Sequence, residues 1–81
     1  MNADIFEQVK KILIDRFAVT PGLIQVSADM QKELQMDSMD ALDLLLAVNE
    51  TFKIRISEQS LEKIHTVGEL VAAIEKQNPL R

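Results

Sequence analysis

The chain has 81 residues, 47% of them hydrophobic, no cysteine and a formal net charge of −4. A domain of this size buries only about 60–65% of the surface its unfolded chain exposes, so one small core of Leu, Ile, Val and Met is expected across residues 1–81. The missing thiols exclude disulfides and thiolate metal sites. The lack of a basic stripe excludes nucleic-acid binding through phosphates, and no apolar run reaches the ~18–20 residues of a membrane span.

Asp4-Ile5-Phe6-Glu7 reads as an Asp variant of the capping box. Ile5, Phe6, Val9, Ile12, Leu13 and Phe17 follow at helical spacing and predict an amphipathic helix from Asp4 to about Phe17. Acidic residues enter early between Met1 and Lys11, with no unbroken apolar stretch, so this segment is neither a signal nor a transit peptide and a cytoplasmic protein is expected. Thr20-Pro21-Gly22 ends the helix. Residues 23–36 have no clear period, and so long a connection in a small domain is either functional or held by its own apolar contacts. Leu23, Val26, Met30 and Leu34 are the expected anchors.

A second helix is expected from Asp37 or Ser38 to about Phe52. A helical turn follows, with Ser57 capping Glu58 to Leu61. The last helix starts at Thr66, where Thr66-Val67-Gly68-Glu69 forms another capping box. It buries Leu70, Val71 and Ile74 and is stopped by Asn78-Pro79. The fold expected is all-α, a small four-helix bundle of three main helices and one short one.

The second helix carries the chemistry. Leu44, Leu45, Val48 and Phe52 make one adequate core stripe, and Met39, Leu42 and Leu46 make a second apolar stripe on a neighbouring face. Asp37, Asp40, Asp43 and Glu50 recur along the adjoining side. An exposed apolar stripe rimmed by charge marks a partner surface; packed under the long connection, the same stripe is ordinary core, and periodicity does not choose between them. Carboxylates in a first turn also offset the helix macrodipole by roughly 0.3–1 kcal/mol each, which accounts for Asp37 and Asp40 better than for Asp43 and Glu50.

Ser38 taken alone is a cap or a neutral first-turn residue. A nucleophilic serine needs a base within hydrogen-bonding reach, and the single histidine, His65, lies in the connection before the last helix with no evident orienting carboxylate. No triad can be assembled, so Ser38 is chemically quiet until another enzyme activates it, and the chain reads as a carrier and not an enzyme. Asp37, Asp40 and Asp43 lack the alternating oxygen ligands around a glycine that a calcium loop needs, so no metal site is expected.

Leu34-Gln35-Met36-Asp37-Ser38-Met39-Asp40, followed by Leu42-Asp43-Leu44-Leu45 and Phe52-Lys53-Ile54-Arg55-Ile56, resembles the acyl carrier protein family over nearly the whole chain, including Lys63-Ile64 to Val67. That family places a Leu-Gly-x-Asp-Ser-Leu motif before its second helix and a Phe-x-Ile-x-Ile-like segment after it. The resemblance implies a four-helix bundle whose motif serine, here Ser38, receives 4′-phosphopantetheine from coenzyme A through a phosphopantetheinyl transferase. The arm's thiol then holds acyl groups as thioesters for fatty-acid, polyketide or related biosynthesis.

It further implies that Asp37, Asp40 and Asp43, with Glu50 farther along, dock on basic patches of partner enzymes of the acyl ligase, ketosynthase and acyltransferase types. Met39, Leu42 and Leu46 match the family's exposed apolar contacts. Leu44, Leu45, Val48, Ile56, Leu61, Ile64 and Leu70 match an acyl pocket between helices. A stand-alone, largely monomeric carrier is expected, since no linker or second domain is visible in the sequence at either end.

The departures point to a specialised member. Gln35 stands where the family usually has Gly, Met39 replaces Leu, and Asn49 and Thr51 replace carboxylates. Lys53 and Arg55 add positive charge where the family is often acidic. Docking is therefore expected through the first two turns of the second helix. The alternatives are a peptidyl or aminoacyl carrier, which uses the same serine chemistry, and a non-carrier acidic helical interaction module in which Ser38 is only a cap. The Asp before Ser38 favours the acyl type over the Gly-His-Ser style motif of peptide synthesis.

Overall fold

In the computed structural model, residues 2–77 are described. Asn2 starts the first helix, its side-chain oxygen accepting from the amides of Asp4 at 2.9 Å and Ile5 at 3.2 Å. Helix α1 therefore spans Ala3–Phe17. The expected Asp4 cap is corrected: Asn is as good a cap as Asp, and taking the earlier one leaves Asp4 in the first turn, where its charge faces the positive helix end. Ala18 closes α1 in the left-handed conformation at φ 55, and a 3-10 turn, Pro21–Leu23, follows.

Helix α2 spans Ser38–Phe52, α3 Glu58–Leu61 and α4 Val67–Gln77. Ser57 caps α3 by accepting from the Ser60 amide at 3.1 Å. Thr66 and Glu69 exchange bonds at the start of α4. The Thr66 hydroxyl accepts from the Glu69 amide, and the Glu69 carboxylate from the amides of Thr66 and His65. The expected stop at Asn78-Pro79 lies outside the described residues.

Helix α1 packs on α2 and on α4, and α3 packs on α2. Val9 and Leu13 of α1, Leu44 and Val48 of α2, and Val67, Leu70, Val71 and Ile74 of α4 are the most completely enclosed side chains. Burying an aliphatic side chain of this kind contributes about 1.5–3 kcal/mol, so truncating Leu13 or Leu44 at the centre would remove a large part of a small domain's stability. The described residues form one bundle of four helices without strands beyond an isolated bridge between Asp29 and Thr66.

The connection from residue 18 to 37 is anchored by Met30 and Leu34, as its sequence suggests, but not by Leu23 and Val26. Val19, Ile24, Ala28, Met30, Leu34 and Met36 are buried, whereas Leu23 and Val26 are exposed. The 3-10 turn resets the phase of the chain, which a reading without a period could not follow. Val26 is held through its backbone instead, its carbonyl accepting from the Gly68 amide at 2.9 Å. A Cβ on Gly68 would lie 2.6 Å from Val26 Cγ1 and 3.0 Å from that carbonyl, so the close approach needs a glycine. Two further bonds, from the Met30 amide to the His65 carbonyl at 2.9 Å and from the Val67 amide to the Ala28 carbonyl at 3.1 Å, stitch the connection to the start of α4.

Candidate functional site

Asp37 is the cap of α2, its carboxylate accepting from the Asp40 amide at 2.9 Å. Ser38 is consequently the first helical residue, exposed, and its hydroxyl makes no hydrogen bond among the described residues. The capping task that a serine here would ordinarily perform has gone to its neighbour. The Ser38 hydroxyl stands at the positive end of a fifteen-residue helix, a position that favours an attached phosphate through the macrodipole and the unpaired first-turn amides.

The approach to Ser38 is fixed by a one-turn knot. The Asp29 carboxylate accepts from the amides of Gln31 and Lys32, both at 2.9 Å, and the Glu33 carboxylate reaches back to the Asp29 amide. The bond from the Lys32 amide is the main cause holding the Asp29 pKa below the ordinary carboxylate range. Glu69 is lowered too, chiefly by the bond from the His65 amide and then by that from Thr66. The turn ends at Gln35, which is left-handed at φ 58. Such a conformation costs a residue with a Cβ roughly 1–2 kcal/mol. The Met36 amide then bonds the Met30 carbonyl at 3.0 Å.

Both methionines line a cavity of about 290 Å³ that Ser38 opens onto. Leu42 and Leu44 of α2, Leu61 of α3 and Ile64 just after it supply its other apolar walls, and Glu58, Glu62 and His65 lie on its polar side. Of the residues expected at an acyl pocket, Leu44, Leu61 and Ile64 are brought together here. Leu45, Val48 and Leu70 are not: they lie in the core. Ile56 is buried and faces a separate, shallower depression between α3 and α4, which it shares with Ile64 and Ala73.

The second apolar stripe of α2 is surface. Met39 is 78% exposed, Leu46 63% and Leu42 38%, while Leu44, Leu45 and Val48 are buried. Asp37, Asp43 and Glu50 are exposed alongside and Asp40 is half-buried. Asp43 is not a free charge: Arg16 of α1 reaches it at 3.3 Å, with both side chains about half exposed. An exposed pair of this kind is worth only about 0–1 kcal/mol and is screened by salt, so the pair shapes the surface more than it stabilises the fold.

Sequence reasoning did not find Met30, Met36 and Gln31 at the cavity, nor Arg16 beside Asp43. Nothing local marks the first set, and the Arg16–Asp43 contact joins residues far apart in the chain. It also read Asn49 only as a lost charge. The Asn49 carboxamide in fact bonds both backbone groups of Ile56. Among the described residues no helix is long and apolar enough to cross a membrane.

The chain matches a family model described as a phosphopantetheine attachment site over residues 7–74. That span takes in most of α1, the knot, Ser38 and its cavity, and most of α4. Carrier domains of this family are generally non-catalytic and work with phosphopantetheinyl transferases and biosynthetic enzymes, and their prosthetic group is 4′-phosphopantetheine. An exposed, uncapped helix-start hydroxyl above an apolar cavity fits such a group, and the chain belongs to the family of phosphopantetheine-bearing acyl and peptidyl carrier proteins.

Proposed function

We propose that residues 1–81 act as a single carrier domain. It holds acyl intermediates as thioesters on a 4′-phosphopantetheine arm attached to Ser38 and presents them to enzymes of fatty-acid, polyketide or related biosynthesis. The observation that carries this reading is the freedom of the Ser38 hydroxyl, exposed at the first position of α2 because Asp37 does the capping. The arm supplies the thiol that a chain without cysteine lacks. The chain's own residues supply an anchor, a docking face and a shelter.

Docking runs over Asp37, Met39, Asp40, Leu42 and the near part of the stripe, with Asp43, Leu46 and Glu50 as outlying contacts. Apolar side chains supply contact area, and the carboxylates steer a basic partner surface at encounter. Encounters through exposed charge are weak and salt-sensitive, which suits a carrier that must leave each enzyme. The cavity beneath Ser38 shelters the proximal part of the cargo against Met30, Met36, Leu44, Leu61 and Ile64. Its volume of about 290 Å³ corresponds to roughly ten water-sized groups at ~30 Å³ each, the scale of a short or medium acyl chain.

Asp37 before Ser38 supports the acyl over the aminoacyl type. Offering the arm-bearing protein both a medium-chain fatty acid with a broad-specificity acyl ligase and an amino acid with an adenylating enzyme tests this. The expected product is a hydroxylamine-sensitive acyl thioester. Preferential loading of the amino acid contradicts the acyl reading.

A further inference from the structure

Among the described residues, three with side chains adopt the left-handed backbone conformation: Ala18, Gln35 and Lys53. Ala18 and Lys53 are the residues that close α1 and α2, where a reversal of this kind commonly ends a helix. Gln35 is different. It ends only a single turn, and it stands three residues before the serine at which the modifying enzyme must act.

Burial alternates along this approach. Leu34 and Met36 are buried, whereas Gln35, Asp37 and Ser38 are exposed. Gln35 thus lies on the outer side of the connection together with the residues that a transferase has to cover. Its carboxamide makes no hydrogen bond among the described residues. A glycine would adopt the same backbone without a steric cost. A side chain held here against the local preference, with no internal partner, is an outlier from which a functional role is reasonably inferred.

We infer that Gln35 is a selectivity residue for the enzyme that modifies Ser38: its side chain screens the serine from transferases suited to a bare backbone at this point. The inference rests on Ser38 being the attachment site. In that step the Ser38 oxygen forms a bond to the phosphorus next to the pantetheine of coenzyme A. The bond from that phosphorus to the adenosine 3′,5′-bisphosphate breaks, that group leaves with the bonding electrons, and the hydroxyl proton passes to the transferase or to water. Gln35 takes no part in the chemistry; it limits access.

The test uses the full chain, coenzyme A and a broad-specificity phosphopantetheinyl transferase, with kcat and KM read by intact mass and thermal stability measured in parallel. Gln35→Gly removes both the side chain and the backbone cost, Gln35→Ala removes the bulk and keeps the cost, and Ala18→Gly is a control for relief of strain alone. Both Gln35 variants are expected to lower KM about fivefold, equivalent to ~1 kcal/mol, with kcat unchanged. Only the two glycine variants should melt higher, and Ala18→Gly should leave KM alone. The inference is overturned if KM is the same in all four proteins, if it falls only in the variants that melt higher, or if it rises in Gln35→Ala. Absence of the arm from every protein, Gln35→Gly included, would instead overturn the assignment of Ser38.

Discussion

The Asn49 carboxamide pairs with both backbone groups of Ile56, accepting from its amide at 2.9 Å and donating to its carbonyl at 3.2 Å. One side chain near the end of α2 thereby holds the extended segment that leads into α3. A carboxylate can accept the first bond but has nothing to donate to the second. Asn49→Asp should therefore destabilise the fold by about 1–3 kcal/mol, the range for leaving a partly buried carbonyl unpaired. Urea unfolding of the two proteins measures it. A change within error would mean that the pairing contributes nothing to stability.

The ion pair between Arg16 and Asp43 divides the acidic face of α2 into a free near end and a tied middle. Asp40→Lys should slow modification or loading by a basic-faced enzyme by about tenfold, a barrier change of ~1.4 kcal/mol. Glu50→Lys should change it less than twofold. Asp43→Lys should fall between them, because part of its charge is already answered by Arg16. Measuring kcat/KM at low and physiological salt checks both the order and its electrostatic origin. Equal losses at all three positions would contradict docking through the first two turns.

Acid should loosen the connection of residues 18–37 from the start of α4 before it disturbs the core. Asp29 and Glu69 both have lowered pKa values because backbone amides bond their ionised forms. The unfolded chain then binds more protons than the folded one at mildly acidic pH, so stability falls as pH falls. The contribution is complete above the ordinary carboxylate range, at about pH 6, begins to fade near pH 4–5 and is lost below the lowered native values. Asp29→Asn together with Glu69→Gln should flatten this part of the stability curve. A double variant as acid-sensitive as the wild type would assign the sensitivity elsewhere.

Much of this architecture is legible in the sequence, where local chemistry decides it. Ser57 and Thr66 cap the helices that follow them, whereas the cap of α2 falls to Asp37 and not to the serine beside it. The two apolar stripes of α2 can be written down from spacing alone. Which stripe faces out cannot, because that depends on the packing of α2 against α1 and α3. The cavity escapes for a similar reason. Met30 and Met36 reach it from a connection with no period, through the Asp29 knot and the reversal at Gln35. Asn2 and Asp4 are chemically equivalent as caps, so composition alone does not choose between them. The Arg16–Asp43 pair joins two helices whose relative rotation is set by the core.

A cavity of about 290 Å³ should set a length limit on the cargo it stabilises. In a series of acylated proteins, each added methylene that enters the cavity should raise stability by at most ~0.8 kcal/mol. The gain should level off at roughly eight to ten carbons, when the space of about ten water-sized groups is filled. Melting temperatures across chains of four to sixteen carbons measure it. Filling Leu44 with Phe should shorten the limit. A linear rise to the longest chain would mean that the bundle opens to enclose the cargo, and no rise at all would mean that the cargo stays outside.

The most direct test of the account is intact-mass analysis of wild-type and Ser38→Ala protein after incubation with coenzyme A and a phosphopantetheinyl transferase active on a control carrier. The account predicts one phosphopantetheine arm on the wild type and none on the variant. A wild-type chain that stays bare while the control is modified, or a Ser38→Ala chain that still gains an arm, would contradict it.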